Sequence, residues 1–345
     1  MKTIVIQKYI PHYRYVFFDL LSKRVDLTVI HSDPTFNEDD VDFKVKFIPI
    51  KKLFLEIQYG LLKFIIKEKP DYLVVMMDLH FFHVFLFGMY NFFKEKIIWW
   101  GPWITDFNLA NRIKLYFMKK HPSILYSEKH KIDFINRNIN PKKLFVSNNT
   151  IGVSKRVKSF NHNKKNTILF IGSLNERKGL IEMLEIFKNN IDLIPNEVVF
   201  VIIGDGIIKN KIKSFIKNNS DLKSRIILKG KITNSDMLNK HFSRSLISIS
   251  INQAGLSVLH SFANGVPFLT LENSISGGEK WNIKNDVTGY LCKNKKEFEY
   301  KLIHFVNNPE ICIEMGKKAY NYYDTCATPD LMVLNFLKSF DYFKK

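Results

Sequence analysis

The chain has 345 residues, 46% of them hydrophobic and 25% charged, which is too apolar for a disordered protein and long enough for one large or two medium domains. Its 52 Lys and Arg against 33 Asp and Glu give a net charge of +19, which favours anionic partners: nucleotide phosphates, nucleic acid or an acidic membrane surface. Three cysteines, Cys292, Cys312 and Cys326, lack metal-ligand spacing, argue against a disulfide framework or a zinc site, and fit a reducing cytosol.

The opening apolar run is cut by Lys8 and is too short for a signal peptide. Residues 3–7 (TIVIQ) predict a strand, and Val16, Phe17, Leu20 and Leu21 then recur at helical spacing. Further strands are predicted over residues 26–30, 45–50, 71–76, 96–100, 123–127 and 143–147. Their near-continuous apolar character suits strands covered on both faces, as in a parallel sheet. Residues 79–93 are the longest uncharged run; at 15 residues they fall short of the ~20 needed to span a bilayer and predict a buried helix.

Residues 148–166 are polar, basic and unpatterned, and predict a linker. A second strand series follows over 167–172, 197–204, 225–230, 246–251, 266–271 and 289–292, and residues 331–343 predict a final amphipathic helix. Alternation of strands and helices predicts an α/β doubly wound fold in two Rossmann-like domains, 1–155 and 165–328. Ligands of open α/β sheets bind beyond the carboxyl ends of the strands, so a cleft between two parallel sheets is the expected site.

Three segments carry candidate chemistry. In FIGSLNERKG a strand ends at Gly172, a loop holds Ser173, Arg177 and Lys178, and Leu180, Met183, Leu184 and Phe187 mark the next helix. Free backbone N–H groups, a helix start and two cations suit a diphosphate, although an ordinary loop with solvated basic residues has the same spelling. In NQAGLSVLH, Gly255 permits a tight turn, Leu256 and Leu259 pattern a helix, Ser257 sits in its first turn, and His260 is either a ligand contact or a packed histidine. Gly204, Asp205 and Gly206 read as a turn that lets backbone approach a ligand, or as a plain turn. Asp40 and Asp42 in NEDDVD spell a metal-holding D-x-D but sit in an acidic loop; His80 and His83, three apart, lack a third ligand.

In this order and spacing, FIGSLNERKGL, VVFVIIGDGIIKNKIK, IILKGKI, ISINQAGLSVLHSFANGVP and GGEKWNIKNDVTGYL resemble the second half of the GT-B fold retaining glycosyltransferases of group 1 (family 4-like). QKYIPHYRYVFFDLLSK, IIWWGPW and KKLFVSNNT resemble the first domain of bacterial surface-polysaccharide members. The resemblance implies a GT-B fold whose final helix, within 331–345, packs back on the first domain. It implies Lys178, Arg177 and Asn252 as catalytic residues, and Gly172, Ser173, Gly204, Asp205, Gly206, Gly255, Leu256, Ser257 and His260 as donor-binding residues. Tyr13, Arg14, Trp103 and Glu279 fall on the acceptor side. Asn252 and His260 stand where the family often has glutamates, Ser173 where an arginine is common, and Pro102 where a histidine is common.

The implied activity is hexosyl-type transfer, with retention, from a nucleotide-diphosphate sugar to a saccharide acceptor in O-antigen or capsule biosynthesis. A polyprenyl-diphosphate-linked acceptor at the inner face of the cytoplasmic membrane fits the basic charge of the first domain. No metal and no cofactor are expected. A non-catalytic nucleotide-sugar or glycan-binding protein and a GT-B sugar epimerase are the alternatives. Nucleic-acid binding is disfavoured because the lysines are dispersed and the aromatic residues follow apolar patterns.

Overall fold

The computed structural model describes residues 1–89, 96–102, 104 and 109–344. Among these residues the chain divides into two compact units, Met1–Gly152 with Pro329–Lys345, and Val153–Thr328.

In the first unit the strands are β1 (Lys2–Ile6), β2 (Asp26–His31), β3 (Lys44–Phe47), β4 (Ile50–Lys52), β5 (Glu56–Gln58), β6 (Tyr72–Met76), β7 (Lys96–Trp100), β8 (Ser123–Leu125) and β9 (Leu144–Val146). Seven of them form one sheet in the order β3-β2-β1-β6-β7-β8-β9, every neighbour parallel. The helices are α1 (Tyr15–Ser22), α2 (Leu61–Glu68), α3 (Phe82–Met89), α4 (Leu109–Lys120) and α5 (Glu128–Ile135).

Successive strand residues point to opposite faces, and both faces are covered. Ile4, Leu73, Val75, Ile97 and Trp99 join one apolar cluster, and Val5, Val74, Ile98 and Trp100 join the other. This two-sided burial explains why the strands read as continuous apolar runs. The run predicted over 45–50 as one strand is instead two, β3 and β4. Pro49 between them has no N–H to give a ladder, and β4 pairs antiparallel with β5 outside the main sheet. The stripe of α1 is also shifted from the predicted one: Phe17, Phe18 and Leu21 are buried, whereas Val16 is exposed. In the apolar run 79–93, α3 buries His83, Val84, Phe87 and Gly88; residues 90–93 lie outside the described residues.

The second unit holds β10 (Thr167–Ile171), β11 (Val199–Ile203), β12 (Ile226–Gly230), β13 (Ser245–Ile249), β14 (Phe268–Leu271) and β15 (Gly289–Cys292). They form a parallel sheet in the order β12-β11-β10-β13-β14-β15. Its helices are α6 (Leu180–Asn189), α7 (Lys209–Asn218), α8 (Ser235–Arg244), α9 (Ser257–Ala263), α10 (Lys295–Asn307) and α11 (Pro309–Cys326). The predicted stripe of α6, Leu180, Met183, Leu184 and Phe187, is buried. Part of the stretch read as a linker is pinned along this unit: the Ser159 hydroxyl donates to the Phe242 carbonyl, and Arg156 pairs with Asp324.

The last helix, α12 (Pro329–Leu337), is followed by a 3-10 segment over Lys338–Phe343 instead of continuing as one helix. It belongs to the first unit. Phe336 meets the rings of Phe17 and Trp100, Phe340 stacks on Tyr72 at 4.1 Å, and the Ser147 hydroxyl donates to the Met332 carbonyl.

Both sheets reverse their strand order beside their first strand, between β1 and β6 and between β10 and β13. At such a point the loops leaving adjacent strands run to opposite faces, and a crevice opens at the carboxyl ends.

Buried histidines give the fold a defined response to acid. Burial holds the His83 imidazole down at about 3 and that of His121 at about 4. The unfolded chain therefore binds protons near pH 6.5 that the native state refuses, and stability falls as pH drops below that value. The expected contribution of His83 alone is a loss of about 2 kcal/mol between pH 7 and pH 5. Denaturant melts of wild type and His83→Met across that range check it; the variant should show the shallower decline, and equal slopes would refute the assignment.

Candidate active site

In the second unit the crevice between β10 and β13 is built from four loops. After β10, the chain closes against the loop after β11: the N–H of Gly172 donates to Ile203 and that of Leu174 to Asp205. A 3-10 turn over Glu176–Lys178 follows, and Gly179, at φ +66°, starts α6. A Cβ on Gly179 would lie 2.4 Å from Ile251 and 2.6 Å from the Asn252 amide, so glycine is required both by backbone and by space. That close approach brings Lys178 to the loop after β13, where its Nζ donates to the Gln253 carbonyl at 3.4 Å.

Lys178 is half-buried and makes no ion pair with a carboxylate among the described residues. Burial lowers its pKa, Glu279 opposes that shift and Arg177 adds to it. An ammonium held dehydrated in this way binds an arriving anion more strongly than a solvated one. Arg177 and Ser173 are exposed, and Ser173 accepts from the Asn175 amide at 2.9 Å.

The segment after β13 is fixed by pairing with residue 275. Ala254 donates to the Ile275 carbonyl, Ile275 donates to that of Asn252, and the Ser250 hydroxyl donates to that of Gln253. Asn252 extends its amide toward Glu182 of α6 at 3.5 Å. The N–H groups of Gly255, Leu256 and Ser257 donate to no acceptor among the described residues, because α9 begins there without a side-chain cap. Gly255 does not have the left-handed backbone expected of a tight turn, and a Cβ there would meet open space.

Glu279 belongs to this same cluster. It is buried, accepts from the Ser276 hydroxyl at 2.9 Å and acts electrostatically on Lys178. It lies in the second unit, within electrostatic reach of Lys178. Trp103 lies outside the described residues.

Gly204, Asp205 and Gly206 have local structural roles. A Cβ on Gly204 would fall 1.9 Å from the Gly172 carbonyl oxygen, and one on Gly206 2.4 Å from that of Leu174. Asp205 accepts from the Gly206 N–H and pairs with Lys209, which together hold its carboxyl below the usual range. His260 is half-buried with its ring edge-on to Phe242 at 4.9 Å, and burial drives its imidazole down to about 4, so it is neutral at pH 7. Among other candidates, Asp40 accepts from Asn37 and His80 pairs with Asp78, while His83 is buried apart from His80. Sequence reasoning missed Gln253, Ser276 and Glu182; none of them lies in a spacing that signals a ligand.

In the first unit, Tyr13 and Arg14 sit in the turn from β1 to α1. Arg14 is 3% exposed, with one nitrogen donating to the Tyr126 hydroxyl at 2.9 Å and its guanidinium 4.3 Å over Trp100. Gln7, Gln58 and His83 line the same cavity; the first two carried no sequence signal, and His83 was singled out only as a metal-ligand candidate with His80.

The glycines make opposite demands. Gly204→Ala should cost about 1–3 kcal/mol or more, since two backbones must separate, whereas Gly255→Ala should stay within about 0.5 kcal/mol of wild type. Thermal denaturation of the two variants compares them directly.

Residues 154–322 match the family model of glycosyl transferases group 1. A search of curated proteins finds no match. Among solved structures, Anabaena Alr3699/HepE in complex with UDP aligns with a TM-score of 0.75 at 12% identity, covering 99% of this chain and 100% of that one. A glycosyltransferase from Rickettsia africae ESF-5 aligns with a TM-score of 0.75 at 14% identity, over 100% of this chain and 99% of that one. The lipopolysaccharide outer core galactosyltransferase WaaB aligns with a TM-score of 0.70 at 14% identity over 99% of both chains. The order β12-β11-β10-β13, with its cationic crevice, thus lies in a glycosyl transferases group 1 domain, and the chain has the GT-B glycosyltransferase fold.

Proposed function

We propose that the protein transfers a sugar, with retention at the anomeric carbon, from a nucleoside-diphosphate donor held by the second unit to a saccharide acceptor held by the first. The observation that carries this reading is the convergence, at the β10/β13 reversal, of a dehydrated Lys178 with the unpaired N–H groups of residues 255–257. A departing diphosphate needs both, because negative charge grows on it as the bond to the sugar breaks. HepE has been solved with UDP and with UDP-glucose, which supports a nucleotide-sugar donor here.

In this mechanism the bond from the anomeric carbon to the phosphate oxygen breaks, and Lys178 and the three amides stabilise the leaving group. Arg177, exposed beside them, adds a second cation. The acceptor oxygen bonds the anomeric carbon from the same face, and its proton passes to the departing phosphate oxygen. No protein base and no metal take part. Asn252 and the Glu279 carboxylate contact sugar hydroxyls, and Gly255 leaves room for the donor. A second reading, a non-catalytic nucleotide-sugar binder, draws support from Asn252 leaning on Glu182 and His260 packing on Phe242. Lys178→Ala should lower transfer at least tenfold with an unchanged melt, and wild-type transfer should persist in excess EDTA. Transfer assays with a panel of nucleotide sugars decide; absence of transfer from every donor, with binding retained, would favour the binder.

The acceptor we propose is carried on a lipid, polyprenyl-diphosphate-linked, at the inner face of the cytoplasmic membrane, as a step in surface-polysaccharide assembly. Among the described residues no helix is long and apolar enough to cross a membrane. The tip between β4 and β5 supports surface contact instead: Leu53 is 76% exposed and Phe54 fully so, flanked by Lys51 and Lys52. Lysines draw such a tip to anionic lipid at roughly 1 kcal/mol each, and the two apolar side chains then enter the interface. The protein should sediment with phosphatidylglycerol vesicles at low salt, and Leu53→Ser/Phe54→Ser should weaken partitioning at least tenfold. No binding by wild type would remove the membrane assignment.

A further inference from the structure

The reversal between β1 and β6 opens a cavity of about 400 Å³ in the first unit, lined from the ends of both strands and from the turn that starts α1. Four of its lining residues are almost completely buried polar side chains: Gln7 at 4% exposure, Arg14 at 3%, Gln58 at 4% and His83 at 6%. Each carries a buried polar atom with no protein partner among the described residues: Gln7 Nε2, Arg14 Nη1, Gln58 Oε1 and His83 Nδ1. Buried polar groups in folded proteins are otherwise paired, and leaving one unpaired costs about 1–3 kcal/mol. Four residues lining one cavity therefore carry unmet hydrogen-bonding capacity, which suits a polar ligand.

The charge within the cavity names the ligand's chemistry. Arg14 makes one hydrogen bond, to a neutral phenol, and otherwise rests on aromatic faces, at 4.3 Å from Trp100 and 5.4 Å from Tyr126. The nearby carboxylates are engaged elsewhere. Glu56 holds Lys8 at 2.7 Å, and Asp78 holds His80 at 2.7 Å nearer the solvent, at 40% exposure. Among the described residues no carboxylate pairs with this buried guanidinium, which is expensive, and an anionic oxygen on Nη1 would complete it while Nη2 stays on Tyr126. His83 and Gln58 then suit ring hydroxyls, and Asp78 accepts from them at the rim.

We propose that this cavity binds the anionic substituent, a carboxylate or a phosphate, of an acidic saccharide, with Arg14 as the residue that selects it. In naming that saccharide the acceptor, the proposal rests on the transferase reading above; the binding itself does not.

Calorimetric titration of the full chain with D-glucuronate, glucose 6-phosphate, D-glucose and inorganic phosphate tests it. At least one of the two acidic sugars should bind tenfold or more tighter than glucose, and the better of the two distinguishes a carboxylate from a phosphate. Arg14→Gln should abolish that preference. Should this variant fail to fold, Gln7→Leu, which keeps the charge and removes one donor, should weaken the acidic sugar at least fivefold with an unaltered circular dichroism spectrum. Equal binding of glucose and both acidic sugars, a preference that survives Arg14→Gln, or unaltered affinity in Gln7→Leu would each overturn the proposal. So would inorganic phosphate binding equally to wild type and Arg14→Gln while neither acidic sugar binds. If no donor sugar is ever transferred yet the Arg14-dependent preference holds, the transferase reading fails and the cavity assignment stands. If transfer proceeds and Arg14→Gln leaves the KM of every acceptor unchanged, the cavity assignment alone fails.

Discussion

Strand order decides where this protein can hold a ligand. Parallel strands send every connection out at the same edge, and each loop normally covers its neighbour. Where β10 lies beside β13, and where β1 lies beside β6, the adjacent connections turn to opposite faces and leave the strand ends uncovered. The two sheets share this arrangement although their sequences offer no repeat. In each, the uncovered end carries a partly or largely buried cation with no ion pair to a carboxylate among the described residues, Lys178 in one and Arg14 in the other.

Those two cations are held by different means. Lys178 is a point charge on a flexible stem, steadied by one carbonyl and by the field of Glu279. It can follow charge that moves during a reaction. Arg14 is clamped by a phenol and two aromatic faces, a rigid fork suited to reading shape. Several other ion pairs among the described residues lie at the surface, as in Lys209 with Asp205 or Lys129 with Asp133. Pairs of that kind contribute little to stability or to recognition.

The glycines of the second unit show how backbone packing and ligand space are separated. Gly204, Gly206 and Gly179 are spent on bringing loops within contact of each other. A Cβ on Gly255, by contrast, would meet nothing within 4 Å.

Much of the architecture was legible from the residues. Two-sided burial makes parallel strands read as unbroken apolar runs, so β1, β6, β7, β10, β11 and β13 stand out, and the α6 stripe could be read residue by residue. The alternation of these runs with helices identified an α/β fold, and the order of the glycine-bearing loops identified its kind. Lys178 and residues 255–257 could be singled out because a strand end followed by a helix start is spelled locally. Tertiary structure alone decided the rest. Whether Gly255 or Gly204 faces a ligand depends on which loop lies across from it, and that loop is tens of residues away. Glu279 joins Lys178, and Gln7, Gln58 and His83 gather around Arg14, only because strand order brings separate segments to one crevice. A sequence records neighbours along the chain, whereas desolvation and unpaired hydrogen bonds are properties of neighbours in space.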